Sequence, residues 1–95
     1  MLANVGRPRL VEELKLMHPD HSDIYFAYKS GGEYYELNEV AYRMLGYMDG
    51  ETDLDAICAA IQREFEGAEQ VRHDLGCLLE QLVSEGLVTF VGLNV

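Results

Sequence analysis

The chain has 95 residues, 48% hydrophobic and 25% charged, which is ordinary globular usage and too little chain for two independently stable cores. One domain over 1–95 is expected. No apolar run approaches the roughly 20 residues a membrane helix needs, and Met1 to Arg9 lacks the basic-then-apolar layout of a signal peptide; no membrane partner and a cytoplasmic location are therefore expected. The formal charge is −10 and unevenly placed: residues 1–32 hold four acids against four bases, and from Glu33 onward there are 13 acids against three bases. Such a field repels phosphate backbones and favours basic partners, although an acidic surface also serves solubility alone.

In chain order, Pro8 opens an extended run, Arg9 to Leu16, that alternates imperfectly and predicts a first strand. The segment His18–Asp23 is a polar turn, and Ile24 to Lys29 is rich in strand formers. Ser30-Gly31-Gly32 marks a hairpin turn, after which Glu33 to Leu37 returns as a third strand. Asn38 suits a helix N-cap, and Val40, Ala41, Met44, Leu45 and Met48 recur at helical spacing until Asp49-Gly50. Thr52-Asp53-Leu54-Asp55 resembles a capping box with Asp for the usual Glu, followed by Leu54, Ile57, Cys58, Ile61 and Phe65 on one face of a second helix that ends at Glu66-Gly67. A third helix runs from about Ala68 to Glu85 with Val71, Leu75, Leu78 and Leu82 as its core line; Gly86 ends it, and Leu87 to Val91 adds a short strand. These elements predict an α+β, winged-helix-like fold, with an N-terminal three-stranded antiparallel sheet (strands about 9–37) followed by three helices (about 39–85).

Catalytic chemistry finds no candidate in the sequence. His18 and His21 with Asp20 and Asp23 lack a further ligand on a rigid frame, so a solvated turn is expected rather than a metal site. His21-Ser22-Asp23 has the letters of a triad, but a triad is assembled through space and needs an oxyanion site. The Ser30–Gly32 turn lacks the lysine and the following helix of a phosphate loop. Cys58 and Cys77 stand alone in helical patterns and are expected to be small buried hydrophobes, while His73 falls on the polar side of its helix. No cofactor or metal is implied. A winged-helix regulator would read DNA with its third helix, yet that helix carries Glu69, Asp74, Glu80 and Glu85 against only Arg72, so nucleic acid is not an expected partner.

At about 100° per residue, Arg72, Gly76, Leu79 and Val83 share one flank of the third helix, and Gln70, Asp74, Gln81 and Glu85 share the other. Gly76 in a helix interior costs about 1 kcal/mol against alanine, which points to close approach of another group. A groove floored by Gly76, walled by Leu79 and Val83 and ended by Arg72 is one reading; packing of this flank on the domain's own sheet is the other. Strand Glu33-Tyr34-Tyr35-Glu36-Leu37 bears on the choice, because an edge strand there could accept an added strand from a peptide or a second copy. Tyr34 and Tyr35 point to opposite faces, and Leu37 shares the face of Tyr35.

Tyr35-x-Leu37-Asn38-x2-Ala41-x3-Leu45-x3-Asp49-Gly50-x-Thr52-x2-Asp55-x-Ile57, followed by Leu82-Val83-x2-Gly86-Leu87-Val88, resembles the PqqD-like proteins, as does Pro8-x-Leu10. The ordered series covers about Pro8 to Val88. The resemblance implies a RiPP recognition element: a non-catalytic peptide chaperone that binds the leader of a ribosomally made precursor peptide and presents it to a modifying enzyme, commonly a radical SAM protein, as in pyrroloquinoline quinone synthesis. It also implies that the leader adds as a strand beside Glu33, Tyr34, Tyr35, Glu36 and Leu37, against the third helix at Arg72, Gly76, Leu79 and Val83. A DNA-binding regulator, or an interaction module or homodimer formed through the same sheet edge, is the alternative.

Overall fold

A computed structural model of the chain describes residues 6–65 and 70–92. The expected first strand is two strands, β1 (Arg7–Leu10) and β2 (Leu14–Met17). A straight strand through this stretch would place Glu12 on the same face as Leu10 and Leu14 and bury its charge. The chain turns instead, with the Leu14 N–H donating to the Val11 carbonyl at 3.1 Å, and both acids of Glu12-Glu13 stay exposed. Strands β3 (Tyr25–Lys29) and β4 (Tyr34–Leu37) complete the three-stranded antiparallel sheet in the order β2-β3-β4.

The C-terminal strand β5 (Val88–Val91) pairs antiparallel with β1, from Arg7 opposite Val91 to Leu10 opposite Val88. This two-stranded ribbon joins the two ends of the described chain. Its free side is met by Met48–Gly50: the Leu10 N–H donates to the Met48 carbonyl at 3.2 Å and the Gly50 N–H to the Pro8 carbonyl at 2.9 Å. Gly50 is buried at φ 81°, and a Cβ there would sit 3.3 Å from the Arg9 side chain and 3.4 Å from Val91. Its place is therefore at the ribbon, not at the end of the first helix.

Helix α1 (Glu39–Gly46) starts as expected, with the Asn38 side chain accepting from the Ala41 N–H at 2.7 Å. Helix α2 (Leu54–Glu64) is capped by Asp53, which accepts from the Ala56 N–H at 2.8 Å, and not by Thr52. Thr52 is already committed, its N–H donating to Asp49 at 3.0 Å. The expected end of this helix at Glu66-Gly67 and the start of the third at Ala68 lie outside the described residues. Helix α3 (Val71–Ser84) ends in a Schellman motif, with Leu87 N–H donating to the Leu82 carbonyl at 2.8 Å and Gly86 N–H to that of Val83 at 3.0 Å. The motif requires a left-handed residue, supplied by Gly86 at φ 71°.

One contiguous core holds these pieces together. Leu14 and Ala27 of the sheet meet Met44 and Leu45 of α1, Ile57 and Ile61 of α2, and Leu75 and Leu79 of α3, closed from below by Leu87 and Val88. The result is the expected α+β, winged-helix-like arrangement of antiparallel strands and three helices. The core line of α3 differs from expectation in one place. Leu79 is buried with Val71, Leu75 and Leu82, and Leu78 is only half-buried. The physical cause is α2, which packs on the Arg72 flank of α3, where Arg72 reaches Asp55 at 2.9 Å. That flank therefore faces a neighbouring helix, and the opposite one is left toward the sheet.

Candidate functional site

Strand β4 is an edge of its sheet. The Lys29 N–H donates to the Glu33 carbonyl at 2.8 Å, and the pairing then runs Tyr28 with Tyr34, Ala27 with Tyr35, Phe26 with Glu36 and Tyr25 with Leu37. In an antiparallel ladder the backbone groups alternate in direction every residue. Glu33, Tyr35 and Leu37 thus turn their N–H and C=O groups toward β3, and Tyr34 and Glu36 turn theirs to the open edge. Side chains alternate as well. Tyr35 and Leu37 are half-buried toward the helices, whereas Tyr34, 70% exposed, lies on the outer sheet face with its ring centroid 6.2 Å from that of Phe26.

Facing the inner side of β4 is the flank of α3 that α2 leaves free. Leu78, Gln81, Leu82 and Glu85 close with Tyr35 and Leu37 around a cavity of about 70 Å³ whose floor is Leu14, Ala27, Leu45 and Leu87. Burial first, then the Glu85 carboxylate beside its hydroxyl and the charge of Glu33, push the Tyr35 phenol above its ordinary pKa. The groove widens toward the start of α1 into a cleft of about 580 Å³, where Asn38, Val40 and Ala41 stand across from Asp74, Cys77 and Gln81. Gln81 and Leu78 line both parts, so the two form one trough beside the free edge.

The trough is acidic. Asp74 and Glu85 line it, and no lysine or arginine is among its described lining residues. Two arginines of the helical half are engaged elsewhere, Arg72 with Asp55 at 2.9 Å and Arg43 with Glu64 at 3.9 Å. Glu64 also accepts from the Tyr47 hydroxyl, the main cause of that phenol's raised pKa.

Of the residues singled out in sequence, the structure brings the side chains of Tyr35 and Leu37 to the trough and sets those of Tyr34 and Glu36 on the opposite face of the same strand, Glu36 meeting the trough through its backbone. Glu33 precedes β4 and contributes its charge near Tyr35. The α3 residues are placed elsewhere: Arg72 is paired across to α2, Leu79 is core at 2% exposure, Val83 is 52% exposed, and none of Arg72, Gly76, Leu79 and Val83 lines the trough. Leu78, Gln81 and Glu85 take that position, and the sequence did not single them out. The signal was present in the apolar excess of α3, where six leucines and valines compete for a core line that buries four.

Cys77 is exposed in the trough, contrary to the expected burial, with its Sγ 3.6 Å from His73 Nε2; Cys58 is buried, which pushes its thiol pKa up. The His18–Asp23 turn is more than a solvated loop. His18 donates from Nδ1 to the Ile24 carbonyl at 2.9 Å and stacks on Tyr25 at 4.1 Å, and both rings lean on Tyr42 of α1. Among the described residues, no group of three or more His, Cys, Asp or Glu is placed to hold a metal, and no helix is long and apolar enough to cross a membrane.

Comparison with known proteins agrees with the geometry. No curated protein matches the sequence. A solved structure, "TbiB1 in Complex with the TbiA(beta) Leader Peptide", is similar in fold with a TM-score of 0.69 at 21% identity, covering 88% of this chain and 98% of that one. The family model for coenzyme PQQ synthesis protein D (PqqD) matches residues 13–88.

Proposed function

The chain belongs to the PqqD family, and from that premise we propose that it is a peptide chaperone, binding the leader of a ribosomally made precursor peptide and presenting it to a modifying enzyme. The observation that carries this reading is the pairing of a free strand edge at Tyr34–Leu37 with an apolar, partly enclosed trough beside it. A free edge alone is an aggregation hazard. With a trough on its inner side, it offers backbone hydrogen bonds for affinity and a pocket for alternate side chains. The fold it shares is that of a protein solved with a leader peptide bound.

An added strand would hydrogen-bond to the outward groups of Tyr34 and Glu36. Its inward side chains would fill the cavity beside Leu78 and Leu82, and its outward ones would lie on Tyr34 and Phe26. The protein itself is non-catalytic in this proposal; a radical SAM enzyme is the proposed modifying partner, and the cytoplasm the proposed setting. The same edge could take a second copy of the chain, and light scattering at rising concentration reads that competitor. The acidic face of α3 weighs against a DNA-binding regulator.

Two variants test the site by leader-binding titration. Leu78→Glu should weaken binding by about tenfold or more, since it puts a charge on an apolar contact of the groove. Val83→Glu should leave it unchanged. A loss with Val83→Glu and none with Leu78→Glu would move the site to the other flank of α3.

A further inference from the structure

Resting on the leader-binding reading, we propose that the trough selects a basic leader segment: an apolar side chain for the cavity, flanked by lysine or arginine side chains that pair with Glu85 and Asp74. The described lining combines an apolar floor with two carboxylates and no base. Among the described residues none of these carboxylates is in an ion pair. Glu85 stands with Tyr35 in the lining of the cavity, where an incoming cation meets its carboxylate. A peptide that excludes water from the trough must leave these charges uncompensated or bring cations to them. An acidic segment would be repelled at both ends.

The spacing follows from helix geometry. Asp74 and Glu85 are eleven residues apart on α3, a rise of about 16 Å. An extended peptide advances about 3.3 Å per residue, so the two cations fall about four to six residues apart with the apolar anchor between them.

The test is selection of a library of decapeptides, randomised at every position, on the immobilised full-length protein at low salt, with alkylation of Cys77 as a reporter of trough occupancy. Enriched peptides should shield Cys77 and carry Lys or Arg at two positions about four to six residues apart around an aliphatic residue. Replacing both cations by Glu should weaken binding about tenfold or more. The double variant Asp74→Asn, Glu85→Gln should show the same loss toward the parent peptide. A control variant that removes as many charges outside the trough, Glu12→Gln, Glu51→Gln, should not. Enriched peptides that shield Cys77 but show no basic excess, or an equal loss in the control variant, would overturn the charge selection and leave the groove in place. If no enriched peptide shields Cys77, the groove reading fails and the charge selection with it.

Discussion

Asp49 shows how much a single side chain can organise where no regular element runs. Its Oδ1 accepts from the Glu51 N–H at 2.8 Å and the Thr52 N–H at 3.0 Å, bridging the end of α1 to the cap of α2. Those backbone donors, Glu51 first, hold its carboxyl below the usual carboxylate range. A lowered folded-state pKa means that the stabilisation is fully present above the unfolded pKa and is lost as pH falls through the folded value. Asp49→Asn should therefore flatten the acid limb of a Tm-against-pH profile as pH falls below the ordinary carboxylate range; an unchanged acid slope would refute the assignment. Some residues of this kind were legible in sequence and others were not. Asn38 could be read as a cap because one side chain and one following turn define it. Asp53 and Thr52 are adjacent and both suit a cap, and the choice is made by Asp49, three residues back, which occupies Thr52. Cys77 was misread for a similar reason: its exposure depends on which flank of α3 is covered.

At the scale of elements, the third strand was legible and the orientation of the third helix was not. Alternation within Tyr34–Leu37 fixes which side chains point inward, and the hairpin before it makes this strand the last in its sheet. A helix with leucine or valine at 71, 75, 78, 79, 82 and 83 can rotate by one position and still bury an apolar line. The tie is broken by the packing of α2 on α3, which buries Leu79 and is marked at the surface by the Arg72–Asp55 pair, a contact between residues 17 apart in sequence. The split of β1 from β2 was hidden likewise, since β1 finds its partner β5 at the far end of the chain. The open edge of β4 can be tested with the element left intact. The Glu36 N–H points away from β3, so proline there removes an edge donor without breaking the β3–β4 ladder. Glu36→Pro should fold with an unchanged circular-dichroism spectrum and bind leader about tenfold or more weakly. Full binding by a folded Glu36→Pro protein would show that no strand is added at this edge.

For the whole molecule, charge and architecture divide along the same line. Residues 1–32 are neutral in sequence and the excess of acid runs from Glu33 through the helices, so the trough between β4 and α3 has an acidic wall and a strand edge. This division was readable from composition alone, as was the α+β class. Which residues meet across the trough was not, because that depends on how three helices settle on one core. The family match runs from Glu13 to Val88 and so covers β2 through α3, the elements that build the trough, while β1 lies before it. The most direct measurement is an amide-shift titration of isotope-labelled protein with the leader of a precursor peptide encoded alongside it. Saturable shifts at Tyr34–Leu37 together with Leu78, Gln81 and Glu85, and none at Arg72 or Val83, are the predicted result. Shifts on the Arg72–Val83 flank without the β4 edge, or no shifts at saturating peptide, would contradict it.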